Sequence, residues 1–270
     1  MLEAIKINYL KIKPKKSAEK CKIHKDTNLV YYGKVKPFCP VCQQEKIEQE
    51  KKQADRKNTE DVFRNELLRN SLVDDSNELS YTFDNFRANK GTKEYQMKAM
   101  ARQIAGEYFK DKDAKFNALL YGTPGEGKTH LAMAMVNAVN KFSNPPQKCL
   151  FVNVNSLFLA IKRSFDDPTW QWTEGFAVKK LSGVDLLVID DLGSESAMNG
   201  SNSEASNFIQ RVLYQITNRQ KRIIITTNLT MNQLRQAYNP KLVSRLLAGS
   251  KGHQVDFTGI SDKRYKNEGY

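Results

Sequence analysis

Histidine occurs three times and cysteine four times in 270 residues. Four cysteines do not make a disulfide framework of the kind that staples small secreted domains. No apolar run approaches the ~18 residues of a membrane-spanning helix, so no membrane partner is expected. The N-terminal stretch MLEAIKINYLKIKPKK lacks the long apolar segment and small-residue cleavage site of a secretory signal. Internal repeats are absent. These absences point to a cytoplasmic, reducing setting. Acidic residues are in deficit: 30 Asp and Glu stand against 43 Lys and Arg, a formal charge of +13. That surplus suits a polyanion such as nucleic acid, and it suits a generic basic surface; charge alone does not choose. Hydrophobic residues make up 40% of the chain, enough for a core, and the length allows one large domain and a small one.

The few cysteines and histidines are unevenly placed. CKIH (Cys21 to His24) and CPVC (Cys39 to Cys42) are pairs with two residues inside each, and 14 residues lie between His24 and Cys39. Three thiolates and one imidazole at this spacing suit tetrahedral Zn²⁺. The intervening KDTNLVYYGKVKPF can reverse as a hairpin around Gly33. A segment this short buries little, so the metal would hold it folded. A closed site leaves no position for chemistry, so its expected job is binding. Cys149, within CLFVNV, reads as a buried small hydrophobe. From Gln43 to about Arg69 the chain is dense in Glu, Lys, Gln and Arg. That suits a solvated helix with i,i+4 ion pairs or a partly disordered connector. The expected domains are a zinc module over 1–50, a charged helical linker over 51–80 and a larger domain over 81–270.

The larger domain carries GTPGEGKTH. Four residues separate Gly122 from Gly127, and Lys128 and Thr129 follow at once. This is the spacing of a phosphate-binding loop: glycines let the backbone curl and aim its N–H groups inward. Gly122, Thr123, Pro124, Gly125, Glu126, Gly127, Lys128 and Thr129 are therefore the expected ATP-binding residues. Lys128 would reach the β- and γ-phosphates, and the Thr129 hydroxyl would ligate Mg²⁺. NALLYG before the loop reads as a buried strand. KTHLAMAMVNAVN after it reads as a helix whose N-terminus faces the phosphates.

GVDLLVIDDLGSE is almost wholly apolar up to Asp190 and Asp191, as a central parallel strand should be. One carboxylate, Asp190, would hold Mg²⁺; the other, Asp191, would orient the attacking water. KRIIITTNLT is a further apolar strand, and Asn228 at its end can hydrogen-bond the γ-phosphate or the water. CLFVNV supplies another. Strands alternating with helical stretches predict an α/β fold with a doubly wound parallel sheet.

Over Tyr81 to Arg264, and again in the zinc module, the chain resembles AAA+ ATPases of the DnaC/DnaI helicase-loader group, close to the initiator DnaA. GTPGEGKTH matches Walker A, LLVIDDLGSE matches Walker B, and IIITTNLT matches the sensor 1 strand of Asn228. The resemblance implies a core without a C-terminal helical lid. LVSRLLAG matches the segment bearing an arginine finger, which implies that role for Arg245 in a neighbouring subunit's ATP site, and hence self-association through AAA+ domains. GISDKR resembles the sensor 2 segment, with Arg264 the candidate. The zinc module resembles the helicase-binding domain of DnaI-like loaders, which implies a hexameric replicative helicase as partner. Many AAA+ proteins carry Glu where this chain has Asp191. Asp is one methylene shorter, so slow, switch-like hydrolysis is expected.

In the same branch an extra helix after the second strand faces single-stranded DNA. Here it would fall in NSLFLAIKRSFDD, where Lys162, Arg163 and Phe165 are the candidate DNA contacts. Phe165, four residues after Ile161, is also placed to join the core. Trp170 and Trp172 fit packing and binding alike. Two other functions compete with helicase loading. One is a transposition helper ATPase of the IstB type, which generally carries a different N-terminal domain. The other is a nucleotide-gated DNA-binding adaptor with little turnover, for which Asp191 leaves room.

Overall fold

The computed structural model describes residues 13–197 and 205–260. The chain divides into two compact units, Met1–Glu60 and Asp61–Tyr270.

In the first unit, β1 (Lys15–Lys20) pairs antiparallel with β2 (Asn28–Tyr31). The chain then reverses around Gly33, and Val30 and Phe38 exchange both backbone hydrogen bonds at 2.8 Å. Helix α1 (Pro40–Asn70) starts inside CPVC, with proline in its first turn, where the missing N–H costs no helical bond. Of the expected linker over 51–80, α1 takes the part up to Asn70; its middle is charged and exposed all round, and burial begins only at Glu66 and Leu67, in the second unit.

The second unit is a five-stranded parallel sheet. A 3₁₀ turn (Ser76–Ser80) and α2 (Lys93–Lys110) precede β3 (Ala118–Tyr121) and α3 (Lys128–Phe142). Then come β4 (Cys149–Asn153), α4 (Val154–Asp166), α5 (Glu174–Ser182), β5 (Leu186–Leu192) and α6 (Ser194–Ala197). The chain continues with α7 (Asn207–Arg219), β6 (Ile223–Thr227), α8 (Met231–Ala237), α9 (Pro240–Leu246) and β7 (Gln254–Asp256). The strand order is β4-β5-β6-β3-β7. Leu72 extends the edge beside β4, its N–H and C=O bonded to Phe151 and Asn153.

Side chains alternate across a strand, so a sheet covered on both faces must be apolar at every position. Leu119, Val152, Leu187, Ile189 and Ile225 enter one core, with the buried faces of α4, α5, α7 and α9. Leu120, Phe151, Leu186, Val188 and Ile224 enter the other, with α2 and α3. Cys149 is fully buried in the second of these. All five strands run the same way, so Tyr121, Asn153, Asp190, Thr227 and Asp256 gather at one edge of the sheet. Open α/β sheets bind ligands at this carboxyl edge.

Candidate functional site

The loop from Gly122 to Gly127 links β3 to α3 at that edge. Gly127 sits at φ 95° and forms the N-cap of α3. A Cβ there would lie 2.9 Å from the Phe86 ring, and one at Gly122 (φ 146°) would lie 2.5 Å from Glu126 Oε2 and 2.7 Å from Phe257 Cβ. Only glycine fits both places, and the cradle stays open for an anion on the N-terminus of α3. Lys128 Nζ donates to the Gly122 and Thr123 carbonyls at 3.0 and 2.6 Å, which holds the ammonium inside the loop. The Glu126 side chain is fully buried, and its carboxylate accepts from the Thr123 hydroxyl. Glu126 thus offers the cradle its backbone. Over the loop, His130 stacks on Tyr81 at 4.3 Å and meets Phe86 edge-on at 5.2 Å, so the segment Tyr81–Phe86 braces the start of α3.

Two strands complete the site. Thr129 Oγ1 donates to Asp190 Oδ2 at 3.3 Å, which brings together the two oxygens expected to hold Mg²⁺. Thr226 Oγ1 donates to Asp190 Oδ1 at 2.7 Å and accepts from the Asp191 backbone N–H at 2.8 Å. Burial pushes the Asp190 carboxyl up to about 6, against the pull of Thr226 and Thr129. Burial likewise raises Asp191. A dication would relieve that cost, and hydroxyl and carboxylate oxygens are what Mg²⁺ takes. Asp191 has φ 55°, rare for a residue with a side chain. Its Oδ1 accepts from Asn228 Nδ2 at 2.8 Å, so the two groups expected to face the water touch one another.

Arg245 lies elsewhere. Its carbonyl accepts from Asn117 Nδ2 at 2.9 Å, and the Leu246 carbonyl accepts from the same nitrogen at 3.1 Å. Asn117 immediately precedes β3, so the C-terminus of α9 is bolted to the amino edge of the sheet. The four residues of β3 put about 13 Å between this edge and the Gly122–Gly127 loop. Arg264 lies outside the described residues.

On α4, Leu157, Phe158 and Ile161 are buried, whereas Phe165 is 64% exposed and meets Phe208 edge-on at 6.0 Å. Phe165 is therefore a surface aromatic and not core. Lys162 and Arg163 are exposed beside it. The Arg163 guanidinium lies 3.9 Å over the Trp170 ring, and Trp170 Nε1 donates to the Ala160 carbonyl at 3.0 Å. Trp170 thus packs against the helix, and Trp172 is buried in the core.

In the first unit the donor atoms of Cys21, His24, Cys39 and Cys42 lie within 4.8 Å of one another. His24 Nδ1 is 3.9, 3.7 and 3.2 Å from the three sulfurs, and Cys21 Sγ is 3.6 Å from Cys42 Sγ. Tetrahedral zinc with bonds of about 2.3 Å to sulfur and 2.0–2.1 Å to nitrogen needs ligand separations of roughly 3.5–3.8 Å, so the set fits. The other ring nitrogen, Nε2, meets Glu45 Oε1 at 3.3 Å, an outer carboxylate that fixes the ring. The His24 backbone N–H holds the Cys21 thiol down to about 6, toward the thiolate a metal needs, while burial pushes Cys42 up to about 12.

Sequence reasoning missed Thr226, Asn117 and the brace of Phe86 on Gly127. The first two are single polar residues at strand ends with no motif. Only the position of Phe86 just upstream of the core hinted at the third.

A sequence profile of the bacterial DnaA ATPase domain matches residues 77–252. The replication initiator DnaA of Onion yellows phytoplasma (strain OY-M) is 29% identical over 170 residues, 63% of this chain and 31% of that protein. The replicative helicase loader DnaC of Escherichia coli (strain K12) is 27% identical over 174 residues, 63% of this chain and 64% of the loader. The chain therefore spans about a third of the initiator and just under two thirds of the loader. In fold, crystal structures of DnaI (TM-score 0.52, 20% identity, 69% of this chain and 95% of that one) and of the DnaC helicase loader (0.51, 18%, 66% and 97%) are similar. With its profile match, its parallel sheet and a glycine-rich loop after β3 followed by Thr129 bonded to Asp190, the chain belongs to the bacterial DnaA ATPase-domain family, as an AAA+ ATPase of the DnaA/DnaC type.

Proposed function

We propose that this chain is an ATP-dependent helicase loader that binds a hexameric replicative helicase and delivers it onto single-stranded DNA. One observation carries the reading: a Cys₃His cluster with zinc-like spacing stands ahead of a DnaA/DnaC-type core. Relatives named as the initiator DnaA and the loader DnaC support a place in replication initiation.

In this reading the loop backbone and Lys128 would bind the triphosphate, and Thr129 and Asp190 would hold Mg²⁺, which when bound would supply charge neutralisation at the phosphates. Asp191 orients the attacking water while Asn228 fixes that carboxylate. Arg245, some 13 Å of strand away from its own phosphate loop, serves the site of a neighbouring subunit. That arrangement requires assembly and makes turnover a switch. Exposed Lys162, Arg163 and Phe165 face the DNA, and the zinc unit holds the helicase.

The test is light scattering after size-exclusion chromatography of the full chain mixed with its host's replicative helicase. Co-elution that is lost in Cys39→Ser supports loading. Absence of a complex with the wild-type chain overturns it, and favours a transposition helper or a nucleotide-gated adaptor.

A further inference from the structure

The turn after β5 ties together three parts of the second unit. Ser194 Oγ donates to the Asp191 carbonyl at 2.8 Å and accepts from Asn155 Nδ2 in α4 at 2.8 Å. Next along the chain, Glu195 turns inward and is 6% exposed. Its Oε2 accepts from the Gly193 N–H at 2.9 Å, and its Oε1 accepts from the Tyr238 hydroxyl. Tyr238 is itself 2% exposed and stands two residues before α9.

Helix α9 is anchored at both ends. Asn117 holds its C-terminal end, with Arg245, at the amino edge of the sheet. At its N-terminal end Asn239 donates from its N–H and Nδ2 to Gln210 Oε1 of α7 at 2.9 and 2.6 Å, and Tyr238 ties the same end to the turn that follows the carboxyl edge. Seven helical residues rise about 10 Å and four strand residues about 13 Å, so the helix crosses most of the height of the sheet. A shift in the Asp191–Glu195 turn is passed to Tyr238 because the contact is buried. An unpaired carboxylate there would cost more than moving with its partner. No such pressure exists for two exposed groups.

We infer that Glu195 and Tyr238 are positioning residues that couple a subunit's own nucleotide site, through the turn after Asp191, to the Arg245 helix it presents to a neighbour. The inference rests on the in-trans role of Arg245 proposed above. Glu195 and Tyr238 touch neither nucleotide nor water in this scheme; they set where Arg245 stands. The same turn, through Asn155, is bonded to the helix that carries Lys162 and Arg163, so DNA on that helix and nucleotide at Asp191 act on one element.

Subunit mixing tests this, with turnover of the full chain measured on saturating oligo-dT. In the reference mixture, Arg245→Ala supplies an intact ATP site, and Asp191→Asn, which keeps the Gly122–Gly127 loop and Lys128 and so still fills its own site with ATP, supplies an intact arginine. Each is inactive alone, and together they regain turnover. Tyr238→Phe alone is expected to lose kcat by about 10- to 100-fold with KM for ATP unchanged, the cost of a group misplaced by about an ångström. Mixed with Asp191→Asn, its turnover rises well above the sum of the two alone. Placed on the Asp191→Asn chain itself, Tyr238→Phe lowers the rescue of Arg245→Ala by the same factor. A defect that stays with the Tyr238→Phe subunit while the reference mixture recovers overturns the coupling, as does a wild-type kcat. Failure of the reference mixture removes the in-trans arginine and the coupling with it. If Tyr238→Phe melts early, Glu195→Gln, which keeps the side-chain shape and one acceptor oxygen, goes through the same mixtures with the same expectations.

Discussion

Thr129 Oγ1 donates a hydrogen bond to Asp190 Oδ2 across 3.3 Å, although 61 positions separate them in the chain. The contact closes the phosphate loop of one strand onto the acidic end of another. Lys128→Ala should remove ATP binding altogether in a fluorescent-nucleotide titration; retained affinity would refute the phosphate-loop assignment. Asp190→Asn should keep nucleotide binding in EDTA and lose the gain in affinity that Mg²⁺ brings.

Thr226 has a role only in three dimensions. Thr226→Val keeps the shape and deletes the hydroxyl that donates to Asp190 Oδ1 and accepts from the Asp191 N–H. Leaving two buried polar groups without this partner should cost about 1–3 kcal/mol in urea unfolding. Turnover should fall by more than ATP affinity, because Asp191 loses its backbone anchor. A variant with normal stability and turnover would show that the hydroxyl is dispensable.

Cys39→Ser should take zinc content, by mass spectrometry of the metal, from a single ion per chain to none. The far-UV signal of the first unit should fall while the melting transition of the ATPase unit stays in place. Glu45→Gln loses the outer carboxylate on His24 Nε2 and should weaken zinc binding by about 10- to 100-fold without unfolding the unit. Unchanged metal content in Cys39→Ser would remove the zinc site.

Lys162 and Arg163 should behave differently although they are neighbours. Lys162→Ala should lower the salt slope of oligo-dT binding by about 0.7, one phosphate contact on a single strand, with tryptophan fluorescence unchanged. Arg163→Ala should weaken binding and also alter the fluorescence of Trp170, whose ring it covers at 3.9 Å. Wild-type slopes in both would return this face of α4 to ordinary solvent exposure.

Much of the site was legible in the sequence because its chemistry is written at short range. Glycines at the spacing of Gly122 and Gly127 leave few backbones possible, and the short pairs Cys21 with His24 and Cys39 with Cys42 bring their donor atoms together within a turn. The apolar run into Asp190 could only be a buried strand ending at the sheet's edge. Phe165 was not decided by the sequence: its spacing from Ile161 fits the core face of α4 as well as a surface contact, and the ring stays largely exposed against Phe208. Trp170 was undecided for the same reason, since its partner Arg163 lies across a turn whose path the sequence does not fix.

By itself, then, the sequence determined the parallel α/β core, the glycine-rich turn between β3 and α3, the acidic strand end and the gathering of Cys21, His24, Cys39 and Cys42. Each follows from local steric and hydrophobic requirements of adjacent residues. Only the tertiary structure decided that Thr226 serves Asp190, that Asn117 holds Arg245 away from its own phosphate loop, and that Tyr238 answers to Glu195. Those pairs lie 36, 128 and 43 residues apart. They meet because parallel strands joined by crossing helices return distant segments to the two edges of one sheet, and no local pattern records which polar side chain will be waiting there.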